Sequence, residues 1–162
     1  MPSTATTTIY LIKVAVHHHD DTIWRLIALR GDQTLDDLHE AIFEVFDRED
    51  DEHLYAFYLG KRNTRGLPLS TARRYTHPDD AHDNAHDASA TTLDALHLRA
   101  RQKLQYVFDF GDEWWHDLTV ESTRERPDSG PYPRLVESHG DSPPQYEDPE
   151  QDSGDGTFVA PW

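Results

Sequence analysis

The chain has 162 residues, 31 of them acidic and 15 basic, with a formal net charge of -16 at pH 7 and 0 cysteines. This length fits one domain, since a single hydrophobic core stops growing only well beyond it. The cysteine count excludes disulfides, thiolate nucleophiles and cysteine-based zinc sites. Because most nonspecific affinity for nucleic acid comes from Lys and Arg contacts to phosphates, nucleic acid is a disfavoured partner.

The only lysines in the chain are Lys13, Lys61 and Lys103. An acidic, lysine-poor composition is typical of proteins from salt-loving organisms, and we interpret the chain as halophilic-like; an ordinary acidic protein, or one with an acidic tail, is the alternative. No apolar run approaches the roughly 20 residues that cross a bilayer, and the N-terminus lacks the pattern of a signal peptide. We therefore expect a cytoplasmic protein without membrane contact.

The first third of the chain predicts two strands, a helix and a third strand. Residues 10–16 and 23–29 are apolar and β-branched, which favours an antiparallel hairpin. Thr34 can then cap a helix with an acidic first turn. The helix has a stripe of apolar residues at spacings of three and four, namely Leu35, Leu38, Ile42, Val45 and Phe46. With a strand at residues 54–59, the order is β-β-α-β, as at the start of ubiquitin-like folds.

The rest of the chain predicts a second hairpin and a proline-rich arm. Residues 60–90 lose periodicity and form a long acidic and His-rich excursion, whereas residues 104–108 and 114–120 favour two strands joined by a turn. On the second of these strands, one face carries Trp114, His116, Leu118 and Val120. The fold class is α+β, one mixed sheet packed on one main helix. We expect a core that includes Trp24, Leu38, Ile42, Phe57, Phe108 and Leu118.

We expect one domain over residues 1–124 and a Pro/Gly/Asp-rich tail or arm over residues 125–162. The arm contains seven prolines among Gly, Ser and Asp, a composition that cannot build its own core. Leu135 is one of the few apolar residues that could anchor it to the domain.

Four segments together resemble a known family: residues 10–14 with 23–25, 34–39, 53–57 and 106–116. The most specific has the pattern Tyr-x-x-Asp-x-Gly-Asp-x-Trp-x-His, formed here by Tyr106, Asp109, Gly111, Asp112, Trp114 and His116. In order and spacing they are similar to the plasmid pRiA4b ORF-3-like family, which has members among the passenger genes of mobile elements. Thr22 stands where the family often has proline. The resemblance implies the fold and a link to mobile elements, and it implies no particular reaction.

The candidate site consists of His53, Asp109, His116 and Arg25. The first three could bind a divalent metal, since imidazole and carboxylate are common metal ligands. The structural alternative is that Asp109 and Asp112 shape the hairpin turn and that His116 packs on a half-buried face. Arg25 could hold an anion, or it could pair with a structural carboxylate such as Asp109.

Two classes of function remain open on the sequence alone. The first is an accessory or interaction module, associated with a mobile element, that binds another protein through an exposed sheet edge or the aromatic face around Trp114 and Trp115. The second is a metal-dependent hydrolase or nuclease-like enzyme that uses the His/Asp cluster. An enzyme requires these side chains to converge in an open cleft, which a module does not.

Overall fold

The computed structural model describes residues 6–17, 23–48, 54–80, 85–108, 114–127 and 131–142. Within them one α-helix, α1 (Leu35–Val45), and three short 3₁₀ helices (Pro78–Asp80, Ala88–Ala90 and Asp94–Leu96) accompany a single eight-stranded sheet. The strands are β1 (Thr6–Val16), β2 (Trp24–Arg30), β3 (Tyr55–Leu59), β4 (Arg73–Thr76), β5 (His86–Asp87), β6 (Lys103–Phe108), β7 (Trp114–Pro127) and β8 (Arg134–His139). In the parts of the chain just given, no helix has the length and apolar character needed to span a membrane.

The strands follow the spatial order β5-β4-β3-β6-β7-β1-β2-β8. All neighbours are antiparallel except β4 and β5, which are parallel, so the sheet is mixed. The predicted hairpins β1–β2 and β6–β7 are both present. The predicted α+β class, with one mixed sheet on one main helix, is confirmed.

Helix α1 begins at the predicted cap. The Asp37 backbone N–H donates to Thr34 Oγ1 at 3.1 Å, and the Thr34 N–H donates to Asp37 Oδ2 at 2.8 Å, so two otherwise unpaired donors of the first turn are satisfied. Leu35, Leu38 and Ile42 are each no more than 1% exposed, which confirms the predicted apolar stripe. This stripe packs on one face of the sheet and forms the core with it.

The strands divide their side chains between two faces. On each central strand, alternate apolar residues point toward α1. Examples are Ile12 and Val14 of β1 and Leu118 and Val120 of β7. The opposite face, which we call the open face, carries half-buried and exposed side chains next to buried ones such as Gln105 and Val107. The half-buried and exposed side chains include Lys13, Trp24, Tyr58, Lys103, Trp115, Asp117 and Thr119.

Three features differ from the sequence-based expectation or add to it. Trp24 was expected in the core, but it is half-buried on the open face because its neighbour Arg25 points toward α1. Leu135 was expected to anchor the arm, yet it is 47% exposed on β8. The excursion at residues 60–90 contributes β4 and β5 to the sheet, and the arm contributes β8, which pairs with β2.

The core assignment predicts an asymmetric response to truncation of two leucines. Leu38→Ala removes a side chain that is 1% exposed and should lower the free energy of unfolding by about 2–5 kcal/mol. Leu54→Ala, at a position that is 42% exposed, should change it by less than about 0.5 kcal/mol. Chemical denaturation of both variants measures this difference. Equal losses of unfolding free energy would contradict the burial of Leu38 between α1 and the sheet.

Candidate functional site

The structure brings two of the predicted site residues to one place. Arg25 on β2 and His116 on β7 lie on either side of β1, are 0% and 1% exposed, and point toward α1. Both contact Phe46: the Arg25 Cζ atom lies 4.9 Å from the centre of its ring, and the His116 ring centre lies 5.4 Å away. His53 and Asp109 lie outside the described residues, so the predicted metal triplet stays a prediction.

Arg25 is fixed by acceptors around the end of α1. Its Nε donates to the Val45 carbonyl at 3.1 Å, and Nη1 donates to the carbonyls of Trp24 and His139 at 2.8 and 3.0 Å. Its Nη2 donates to Ser142 Oγ at 2.9 Å. An arginine that satisfies the last carbonyls of a helix also matches the negative end of the helix dipole. Arg25 therefore joins α1, β2 and the start of the segment after β8.

His116 is held in one neutral tautomer. Its Nδ1 lies 2.9 Å from the Trp114 carbonyl and its Nε2 lies 3.1 Å from Arg48 Nη2. Since a carbonyl only accepts and a guanidinium only donates, Nδ1 carries the proton and Nε2 accepts from Arg48. Burial and the charge of Arg48 lower the pKa of His116 to about 3. The lone pair that a metal would need is therefore already used by Arg48.

Arg48 completes a helix-end cluster with Phe46, Trp114, His116 and Arg25. Its Cζ atom lies 4.6 Å from the centre of the Trp114 ring, and burial lowers its pKa to about 10. Two buried donors of the cluster, Arg48 Nη1 and Trp114 Nε1, have no hydrogen-bond partner among the described residues. Unsatisfied donors beside a positive charge favour an acceptor or an anion at this position over a metal cation.

A second polar network lies beside the cluster under α1. His39 Nδ1 is 2.6 Å from the Tyr106 hydroxyl, and its ring stacks on Tyr55 at 3.7 Å between centres. The Tyr55 hydroxyl donates to Asp36 Oδ1 at 2.5 Å. Burial raises the pKa of Tyr106 and of Tyr55, so both hydroxyls stay protonated. His39 was missed by the sequence reasoning, although it follows Leu35 by four residues and so shares the buried stripe.

A different polar site occupies the open face. A pocket of about 170 Å³ is lined by Lys13, Ala15, His17, Arg62, Gly66, Lys103, Asp117 and Thr119. Two of the chain's three lysines thus meet in one place, together with an arginine. Within the pocket, His17 Nδ1 donates to Asp117 Oδ2 at 2.8 Å. The sequence reasoning noted that lysines are few but did not place these two together.

Aromatic side chains lie on the same face of the sheet as this pocket. Tyr58 and Trp115 pair with their ring centres 5.7 Å apart, and Lys13 Nζ lies 5.1 Å from the centre of the Trp24 ring. Trp24 in turn stacks on His139 of β8, with 5.5 Å between centres and an angle of 6° between the planes. The open face therefore combines half-buried aromatic rings with cations.

The described residues contain no group of three or more His, Cys, Asp and Glu side chains arranged to hold a metal ion. Among known proteins, the model of the plasmid pRiA4b ORF-3-like family matches residues 8–151. A crystal structure of a protein of unknown function, MM3350 from Methanosarcina mazei Go1, is similar in fold, with a TM-score of 0.69 and 24% identity over 87% of this chain and 74% of that chain. A search of the curated proteins finds no match.

The neutral state of His116 predicts a pH-dependent contribution to stability. Its pKa is lowered on folding from 6.5 to about 3, so only the unfolded chain takes up this proton between those values. The stability that His116 contributes is therefore present above pH 6.5 and falls with decreasing pH, by about 2 kcal/mol between pH 7 and pH 5.

The matched variant is His116→Gln, which cannot titrate. Chemical denaturation at pH 7, 6 and 5 should show the variant to be less stable than the parent at pH 7, with a difference that shrinks toward pH 5. Every other histidine is shared by the two proteins and cancels in the comparison. Parallel pH profiles would show that His116 is protonated as readily in the folded protein as in the unfolded chain.

Proposed function

The chain belongs to the plasmid pRiA4b ORF-3-like family, and on that premise we propose that it is an accessory module that binds another protein through the open face of its sheet. The observation that carries this proposal is that Lys13, Lys103 and Arg62 line one pocket on the same face of the sheet as the Tyr58–Trp115 pair. These cations stand together in a chain with a net charge of -16. A role in general solubility does not account for such a concentration.

The chemistry of this face fits a protein interface. Trp, Tyr and Arg are enriched among the residues that dominate binding energies, because they bury large areas and still offer polar contacts. Tyr58 and Trp115 are half-buried and thus already ordered, so binding would cost little additional side-chain entropy. A local positive patch on a protein with a net charge of -16 also helps to orient an acidic partner, because the net charge of the protein repels that partner.

The interaction surface extends toward the sheet edge through His139, which stacks on Trp24. All six residues of β8 are exposed, and Leu135 and Val136 present 47% and 53% of their surface. An outer strand of this kind can pair with an extended segment of a partner. We place the edge second to the aromatic and cationic surface, because backbone pairing alone carries little specificity for a partner.

The link to mobile elements is part of this proposal and rests on the family's description as plasmid-derived. A metal-dependent hydrolase is the less favoured alternative. His116, the described member of its predicted triplet, is buried and its Nε2 accepts a hydrogen bond from Arg48. A general base or metal ligand must instead present its lone pair to substrate or metal.

Site-specific photo-cross-linking in cells tests the interaction role. A benzoylphenylalanine in place of Tyr58 puts a reactive aromatic ring on the open face, and the same residue in place of the exposed Glu44 puts it on α1 as a matched control. We expect the Tyr58 position to capture one recurring protein, and an excess of untagged chain to suppress that capture. Equal capture from both positions, or none from the Tyr58 position, would count against an interface on the open face.

A further inference from the structure

We infer that the row formed by Lys13, Thr119 and Lys103, together with Arg62, binds an oxyanion of the phosphate class. We call these four residues the cradle. The inference deepens the proposed interaction role and rests on it for the source of the phosphate, a phosphorylated side chain on the partner protein. The existence of the anion site itself depends only on the geometry of the cradle.

Strand register brings the two lysines together. Thr119 of β7 lies directly opposite Lys13 of β1 on one side and directly opposite Lys103 of β6 on the other. Neighbouring strands are about 4.8 Å apart, so the two lysine Cα atoms are separated by roughly 10 Å with the threonine between them. Residues directly opposite in an antiparallel sheet point to the same face. Both flexible ammonium groups can therefore reach the Thr119 hydroxyl, that of Lys13 by turning away from the Trp24 ring, whose centre lies 5.1 Å from its Nζ.

The loop after β3 supplies the third cation from above the sheet. Asn63 Oδ1 accepts the backbone N–H groups of Arg65 and Leu67 at 2.9 and 3.1 Å, which orders the loop that carries Arg62. Gly66 lets this loop lie close to the sheet: it has φ +79°, and a Cβ atom there would stand 3.3 Å from His17 Cε1. Arg62 thus reaches the pocket from an ordered position.

The balance of charge in the pocket is positive. Its lining has three permanent cations, Lys13, Lys103 and Arg62, and one carboxylate, that of Asp117. One oxygen of this carboxylate already accepts from His17 Nδ1 at 2.8 Å. A dianionic phosphate group matches three cations better than a monoanionic carboxylate, and its oxygens can also accept from the Thr119 hydroxyl.

The size of the pocket matches a single anionic group. Its volume of about 170 Å³ is below the roughly 300–1,000 Å³ of sites that enclose drug-sized molecules. A phosphate group fits such a space, whereas a nucleotide would leave most of its base and sugar outside. A group that projects from the surface of a partner protein is compatible with this size.

Binding of inorganic phosphate to the intact chain tests the cradle, and the lysines offer a matched control. Lys13→Met and Lys103→Met each remove a cradle cation, while Lys61→Met makes the same change at the chain's third lysine, which does not line this pocket. By titration calorimetry we expect saturable binding to the parent, at least about tenfold weakening in either cradle variant, and no change in the Lys61 variant. Equal weakening in all three variants, or no saturable binding, would overturn the proposal, and unfolding curves verify that each variant is folded.

A second binding experiment distinguishes the two possible sources of the phosphate group. O-phosphoserine should bind the parent at least as tightly as inorganic phosphate does and should weaken in the same two variants. Phosphate binding without phosphoserine binding would overturn the partner-borne source and assign the cradle to the free ion. Neither binding experiment uses cross-linking. Absence of the anion site and absence of the protein interface would therefore give different results.

Discussion

Within the part of the chain that the structure describes, one 11-residue α-helix covers one face of an eight-stranded sheet, and the roles of the other side chains follow from this arrangement. Successive side chains of a strand point to opposite faces, so half of every central strand is directed away from α1. On the α1 side the strands supply Ile12, Val14, Leu118 and Val120. On the open face they retain charged and aromatic side chains, and this is the face that we propose binds a partner.

The polar residues under α1 belong to the stabilising face. Arg25 and Arg48 are almost fully buried, and hydrogen bonds lower the cost of burying such charges, although Arg48 Nη1 has no hydrogen-bond partner among the described residues. Arg25 donates to carbonyls at the end of α1 and in β8, while Arg48 donates to a histidine that burial keeps neutral. His116 thus serves as an acceptor within the core, which explains how a residue of the most specific sequence signature can have a structural role.

Local patterns predicted much of the fold, since they depend on near neighbours. The cap at Thr34, the stripe on α1 and the alternation along β7 were all predicted correctly. The predicted location of Trp24 was wrong because both sets of alternate residues on β2 are largely apolar, so the pattern does not indicate which set faces α1. The meeting of Lys13 with Lys103 could not be predicted, since they are 90 residues apart and become neighbours only because β7 lies between β1 and β6. The same holds for Arg48 and His116.

The division of the sheet into a stabilising face and an open face that contributes little to stability is most directly tested by the free energy of unfolding of two charge-removing variants. The Lys13→Met/Lys103→Met double variant removes two cations from the open face and should lie within about 1 kcal/mol of the parent, the loss being that of an exposed cation–π contact. Arg48→Met leaves the buried Nε2 of His116 without its donor and should cost about 1–3 kcal/mol. A double variant that is less stable than Arg48→Met would contradict the account.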